Sequence, residues 1–263
     1  LSEQLSQEQK DAVLANWKKN GVEANVHPWI SYAYELYQAG NMKDDPYFTE
    51  GYYSVQDMSS MLICEIAGIK ENDYIVDVCS APGGKALHAC DKLKGTGVVD
   101  ARDVIDRKVD LILENKERLK ADNLTVKVWD GRIKDDSVTQ KADVLLLDIP
   151  CSGLGVIGRK PDIKYRLTEG SFAELTVLQK EIVDTVWEYV KPGGTLIYST
   201  CTLRKEENEQ MVSYLTKKYN FALESLDPYL DESLHNEDTK KGYLTLLPGD
   251  RSDGFFMAKM VRM

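Results

Sequence analysis

Two cysteines follow short apolar runs, each inside a polar turn. Asp148-Ile149-Pro150-Cys151-Ser152-Gly153-Leu154-Gly155 comes after the run Val144–Leu147, and Tyr198-Ser199-Thr200-Cys201-Thr202 closes the run that begins at Thr195. A cysteine taken alone is more often a small buried hydrophobe than a nucleophile. Two at neighbouring strand ends point to chemistry that needs sulfur. Carbon 5 of cytosine attacks an electrophilic methyl group poorly; a thiolate added to carbon 6 converts the ring to an enamine whose carbon 5 can attack. Charge pushed onto ring nitrogen 3 must then meet a proton donor, and Asp148 is the nearest candidate. After transfer the carbon 5 proton leaves and the thiolate is eliminated. Free cysteine ionises near pH ~8.5, so either sulfur needs a polar or cationic setting. The residues alone do not choose between the two.

A methyl donor needs a pocket, and the sequence offers one. Asp77-Val78-Cys79-Ser80-Ala81-Pro82-Gly83-Gly84-Lys85 joins an apolar run to an amphipathic stretch. Its glycines permit close backbone approach to a ligand, and the helix start supplies free N–H groups. The spacing is neither the dinucleotide fingerprint nor a phosphate loop. Asp103 is placed to bind ribose hydroxyls, with Asp100 as a competitor inside the strand; Asp130 could receive an adenine amino group, and Asp148 ends the next strand. A single strand-end aspartate is usually a cap or turn former. A series of them repels phosphates and favours a nucleoside with a cationic sulfonium, S-adenosylmethionine. A target cytosine must be unpaired, or flipped at a cost of roughly a few kcal/mol.

The elements that must position these residues alternate. Strands are predicted at Tyr74–Val78, Gly97–Ala101, Val126–Trp129, Val144–Leu147 and Thr195–Tyr198, with helices at Lys85–Leu93, Arg107–Lys120, Phe172–Val190 and Lys205–Tyr219. Phe221–Leu226 and Phe255–Val261 add two candidate strands. This is the pattern of a doubly wound α/β domain, whose ligands sit beyond the carboxyl ends of its strands. Upstream, Ser6 and Gln9 form a capping box for a helix carrying Val13, Leu14 and Trp17 inward to Asn20-Gly21. Residues 22–53 are aromatic and irregular, and Met58, Met61, Leu62 and Ile66 recur at helical spacing.

Composition bounds the rest. With 263 residues and 43% hydrophobic content the chain can bury one large domain plus a small appendage. Five scattered cysteines without a C-x-x-C pair, and three histidines, argue against a disulfide framework or a zinc site and for a reducing cytoplasm. No apolar run is long enough for a bilayer. The start at Leu1, mid-pattern, reads as a fragment of something longer. Net charge −10 argues against nucleic acid, yet phosphate binding needs a local cluster, which Arg159, Lys160, Lys164 and Arg166 supply. The alternative for that cluster is a solvated loop. A monomer is the favoured assembly.

Taken in order, Asp-x-Cys-x-Ala-Pro-Gly-Gly-Lys, Asp-x-Pro-Cys-Ser-Gly-Leu-Gly and Ser-Thr-Cys-Thr resemble the RNA cytosine-carbon-5 methyltransferases of the RsmB/NSUN type, with the bacterial 16S ribosomal RNA enzymes nearest. Arg159–Tyr165, Glu207-Asn208-Glu209, Asp253-Gly254-Phe255-Phe256 and Tyr52–Ser60 extend the match. The resemblance implies a seven-stranded Rossmann-like sheet over residues 48–263. It implies donor binding through Cys79, Ser80, Ala81, Pro82, Gly83, Gly84, Lys85, Asp103, Asp130 and Asp148. It also implies that Cys201 attacks carbon 6 and that Cys151 assists product release. Ser80, Ala86 and a one-residue shift at Asp103 depart from the usual pattern. Residues 1–47 match only part of an RNA-recognition-like α+β subdomain, and the NusB-like RNA-binding domain has no counterpart here. Two rivals make different demands. An exocyclic-amine methyltransferase, suggested by the likeness of Asp148–Cys151 to Asp-Pro-Pro-Tyr, leaves Cys201 unexplained. An RNA-binding assembly factor without turnover would be expected to lack a cysteine or carboxylate that this chain keeps. A dehydrogenase has the wrong glycine fingerprint.

Overall fold

The capping box at Ser6 forms: Ser6 Oγ accepts the Gln9 N–H at 3.2 Å, and Gln9 returns an acceptor to the Ser6 N–H at 2.9 Å. The helix it starts, α1 (Gln7–Lys19), buries Val13 and Trp17. Strands β1 (Glu23–Val26) and β2 (Tyr34–Tyr37) pair antiparallel, and a short helix α2 (Pro46–Thr49) follows. These elements share a small core of Val13, Trp17 and Tyr53. The Trp17 indole and Tyr53 hydroxyl both donate to Asp45, at 3.1 and 2.7 Å. Tyr53, which follows these elements in the chain, completes that core. The computed structural model describes residues 1–249 and 252–263, and the side chain of Arg166 also falls outside the described part.

Helix α3 (Met58–Ala67) is capped by Asp57 and stopped by Gly68 at φ 65. The alternating region then runs as β3 (Tyr74–Asp77), α4 (Gly84–Lys92), β4 (Val98–Asp103), α5 (Asp106–Leu119), β5 (Leu124–Val128) and β6 (Ala142–Asp148). It continues with α6 (Ile163–Arg166), α7 (Glu169–Val186), β7 (Val190–Thr200), α8 (Glu209–Lys218), β8 (Phe221–Leu223), α9 (Glu237–Lys241), β9 (Tyr243–Leu246) and β10 (Phe255–Arg262). Strand order is β5-β4-β3-β6-β7-β10-β8, with β9 also on β10. The first five are mutually parallel, and every pairing of β10 is antiparallel. The expected seven rows are present; the outermost is split, β9 covering one half of β10 and β8 the other.

Alternation along the strands covers both faces. Ile75 and Leu146 face the layer holding Leu62, Leu87 and Ile112 of α3, α4 and α5. Val76, Leu145 and Leu147 face the layer holding Ile182 and Val186 of α7 and Leu215 of α8. The chain moves outward from β3 to β5 and returns to the other side of β3 with β6. The crevice beyond β3 and β6 is therefore the topological switch point, where open α/β sheets bind ligands. One boundary differs for a physical reason. The predicted helix at Lys205–Tyr219 begins only at Glu209, because residues 205–208 turn Glu207 and Asn208 into the interior, 0% and 2% exposed.

Candidate active site

At the β3 end the Asp-x-Cys loop is built by its neighbours' hydrogen bonds. Ser80 N–H donates to the Arg102 carbonyl at 2.8 Å, and Ala81 N–H to Asp103 Oδ2 at 3.2 Å. The other Asp103 oxygen accepts the Ile105 N–H at 3.1 Å, so this carboxylate ties the loop after β3 to the turn after β4. Asp100 lies within β4 and accepts from Arg102, Lys127 and Tyr74 through one oxygen, Oδ2. Gly83 stands at φ 96, and a β-carbon there would meet Ile112 at 3.1 Å. Beside Gly84 the nearest side chain is Gln56, at 3.6 Å from where a β-carbon would be.

The loop encloses a carboxylate short of donors. Asp77 is fully buried, and the Ser80 hydroxyl is the one hydrogen-bonding group acting on it, without reaching full hydrogen-bond geometry. Burial pushes the Asp77 carboxyl up to about 7; Ser80 and Lys85 oppose the shift, and Asp148 and Asp103 add to it. Burial likewise pushes the Cys79 thiol up. Unmet buried carboxylate oxygens suit a cationic ligand and repel a phosphate. Asp130, beyond β5, is engaged by Arg132 through both oxygens, at 3.0 Å from Nε and 2.7 Å from Nη2. That pairing holds its carboxyl below the usual range. Asp130 reaches a ligand only by sharing or releasing Arg132.

The reaction end lies between β6 and β7, whose pairing sets Asp148 opposite Ser199. Asp148 accepts from Lys85 Nζ at 2.7 Å and from Ser199 Oγ at 2.9 Å. Each Asp148 oxygen is thus engaged by one donor, Lys85 on one and Ser199 on the other. Burial works against the Lys85 charge, but Asp148 and Asp77 outweigh it and raise its pKa. The sulfurs of Cys151 and Cys201 lie 3.2 Å apart. The Cys151 thiol holds Cys201 below the ordinary thiol range; burial and Asp148 oppose this, and Lys85 assists. The same contact, with burial, drives Cys151 well above that range. Of the two sulfurs, Cys201 is the more readily ionised. Spacing in the sequence could not make that distinction.

The loop after β6 is locked to both β7 and β10. Gly155 N–H donates to the Cys201 carbonyl and Gly254 N–H to the Gly155 carbonyl, both at 2.9 Å. Arg159 bridges Asp57 at 3.0 Å and Asp253 at 3.1 Å. Its guanidinium, largely exposed, is thus paired with a carboxylate on either side of the loop. Lys160 and Lys164 are exposed, Lys164 lying 4.8 Å from the ring of Tyr165, itself 80% exposed. The expected contact at Arg166 falls outside the described side chains. A cavity of about 510 Å³ opens elsewhere, between the amino-terminal segment and α4, lined by Tyr32, Tyr53, Gln56, Leu87 and His88. It touches neither sulfur and is not the reaction site. Among the described residues, no group of three or more His, Cys, Asp or Glu could hold a metal ion, and no helix is long and apolar enough to cross a membrane.

The family described as 16S rRNA methyltransferase RsmB/F matches residues 66–261, the stretch that carries both cysteines and every strand-end aspartate. The chain belongs to that family. It is 35% identical over 256 residues to the ribosomal RNA small subunit methyltransferase B of Cronobacter sakazakii, covering 96% of this chain and 57% of that one. The Klebsiella pneumoniae protein of the same name is 36% identical over 258 residues, with the same coverage. The chain therefore spans a little over half the length of the curated relatives it matches. Among solved structures it resembles PH0851, with TM-score 0.87 and 27% identity over 95% of this chain and 56% of that one. It also resembles NSun6 from Pyrococcus horikoshii with SFG, with TM-score 0.71 and 28% identity over 88% and 59%. Sequence reading missed the roles of Asp77, Ser152, Gln179 and Glu207. Glu207 gave one usable signal: an acidic residue six positions after Cys201, in a stretch otherwise patterned as helix.

Proposed function

We propose that this chain is the catalytic part of an enzyme that methylates carbon 5 of a cytosine in RNA, small-subunit ribosomal RNA by its relatives, in the cytoplasm. The observation that carries the reading is the pair of sulfurs 3.2 Å apart beside the Lys85–Asp148 ion pair. S-adenosylmethionine, when bound, supplies the electrophilic methyl group. The residues that would hold it are the Cys79–Lys85 loop with Asp77, Asp103, Asp130 and Asp148. The buried Asp77 carboxylate, short of donors, gives its positive charge a counterpart.

The Cys201 thiolate adds its electron pair to carbon 6 of an unpaired cytosine, and the ring's π electrons move toward carbon 5 and nitrogen 3. Lys85, held by Asp148, supplies a positive charge and protons on the side where that charge develops. Once carbon 5 has been methylated, solvent water takes its proton, and any proton lent to nitrogen 3 returns to Lys85. The carbon 5–carbon 6 double bond reforms as Cys201 leaves as a thiolate. Cys151, kept as a thiol against Cys201, can return a hydrogen bond to the departing sulfur and so assists release. Exposed Lys160 and Lys164, with Tyr165 beside them, suit a phosphate backbone and a stacked base. The partial RNA-recognition-like unit of residues 1–47 would add surface to that contact.

Paired variants test the reading on an RNA substrate with labelled donor. Cys201→Ala should abolish methylation while donor binding persists. Cys151→Ala should accumulate an RNA adduct that survives denaturing electrophoresis. Turnover retained in Cys201→Ala would overturn the nucleophile assignment, and the absence of an adduct in Cys151→Ala would remove its release role.

A further inference from the structure

Glu207 is 0% exposed, and its carboxylate is crowded with donors from the loop that carries Cys151. Ser152 donates its N–H to Oε2 at 2.9 Å and its hydroxyl to Oε1 at 2.6 Å. Gln179 of α7 donates to Oε2 at 3.0 Å and to the Pro150 carbonyl at 2.9 Å. Arg204 Nη1 lies 3.8 Å from Oε1 and answers the buried charge from a distance.

A carboxylate can only accept, and this fixes the direction of every bond around it. With the Ser152 hydroxyl proton committed to Glu207, the 2.7 Å contact between Ser152 Oγ and Thr202 Oγ1 must run from Thr202 to Ser152. Ser152 and Thr202 are the residues that follow the two cysteines. Their hydroxyls meet just as the neighbouring sulfurs do. The far side is braced independently: Asn208 donates to the Thr202 carbonyl at 3.0 Å and accepts from Thr200 at 2.6 Å.

We propose that Glu207 is a positioning residue: by ordering Ser152 and, through it, Thr202, its buried carboxylate sets the approach of the Cys151 sulfur to that of Cys201. Removing the carboxylate leaves the Ser152 N–H without an acceptor in a dry interior and the Gln179 amide with the Pro150 carbonyl alone, and the Cys151 loop loses its anchor. An amide of the same shape can rebuild the network. Its oxygen takes the two N–H donors, its NH₂ donates to Ser152 Oγ, and the Ser152 hydroxyl proton turns to Thr202. Glu207→Gln therefore separates geometry from charge. The catalytic meaning of the spacing rests on the methyltransferase reading above; the spacing itself does not.

The test measures how fast the two thiols close to a disulfide in the otherwise unaltered chain. Diamide is the oxidant and is reduced to its hydrazine as both thiols lose their protons; peptide mass spectrometry identifies the Cys151–Cys201 product. Glu207→Ala should slow closure about tenfold or more, as expected when reacting groups are misplaced by a fraction of an ångström. Glu207→Gln should restore most of the rate. Ser152→Ala, which keeps the carboxylate but cuts the link to Thr202, should also slow closure, and it guards against a Glu207→Ala chain that fails to fold. Closure in folded Glu207→Ala or in Ser152→Ala as fast as in the parent, or no recovery in Glu207→Gln, overturns the assignment. No RNA or donor enters this assay. Failure to methylate RNA would count against the functional reading and leave this result standing.

Discussion

Replacing Gly155 with alanine tests whether the Cys151 loop is locked to Cys201 at the end of β7. A β-carbon at this position would stand 1.9 Å from the Gly254 carbonyl oxygen and 2.8 Å from that of Cys201. Both obstacles are main chain, so no side chain can swing aside, and no left-handed backbone angle is involved. Ordinary contact begins near 3.4 Å. The shortfall of about 1.5 Å must be met by moving backbone, an overpacking that costs ~1–3 kcal/mol. The same movement breaks the two 2.9 Å hydrogen bonds through Gly155, each contributing about 0.5–1.5 kcal/mol. The combined loss is roughly 2–6 kcal/mol, which lowers Tm by roughly 5–20 °C in a chain of this size. Displacing Cys201 by about an ångström should reduce single-turnover methyl transfer about 10²-fold. Gly158, where a β-carbon would meet nothing within 4 Å, is the control. Gly155→Ala and Gly158→Ala would be compared by thermal melting and by transfer of labelled methyl to RNA. A Gly155→Ala protein that melts within about 1 °C of the parent and turns over within about twofold would refute the lock.

Two further perturbations separate electrostatic roles. Lys160→Glu should weaken RNA binding and flatten the slope of log affinity against log salt by about 0.7–0.9 for each phosphate no longer neutralised. Arg159→Ala, which removes the ion pairs to Asp57 and Asp253, should loosen residues 150–158 in hydrogen exchange and leave that slope in place; a slope change matching that of Lys160→Glu would show that Arg159 meets RNA as well. Asp77 makes a pH prediction for the donor-free chain. Its folded pKa of about 7 lies above the ordinary 3.8, so the native state holds its proton more tightly than the unfolded chain. The stability this contributes is complete below pH 3.8 and is lost as pH rises through about 7. Asp77→Asn should therefore lose less stability than the parent between pH ~5 and ~8 in urea titrations. Equal losses in the two proteins would show that Asp77 titrates normally.

The α/β alternation, the five parallel strands and the loop after β3 are legible in the residues, because period-two and period-3.6 patterns are local and survive any tertiary arrangement. So is the capping box at Ser6, which closes within three residues. Strand β9 is not legible: four residues beside a five-residue helix carry too little periodicity, and their pairing partner lies on β10. Tertiary structure alone decides which acid meets which base. By residue type Arg159 is a cation for phosphate, but chain folding brings it between Asp57 and Asp253, residues about a hundred positions away on either side. By position Asp148 is a candidate proton carrier, but the fold delivers Lys85 to it from 63 positions away. Most decisively, the two sulfurs are separated by 50 positions and meet at 3.2 Å only because β6 and β7 are neighbours in the sheet. Residue types and short spacings set what each side chain can do. Which one is charged, tethered or reactive depends on through-space contacts between distant segments, which a linear pattern does not encode.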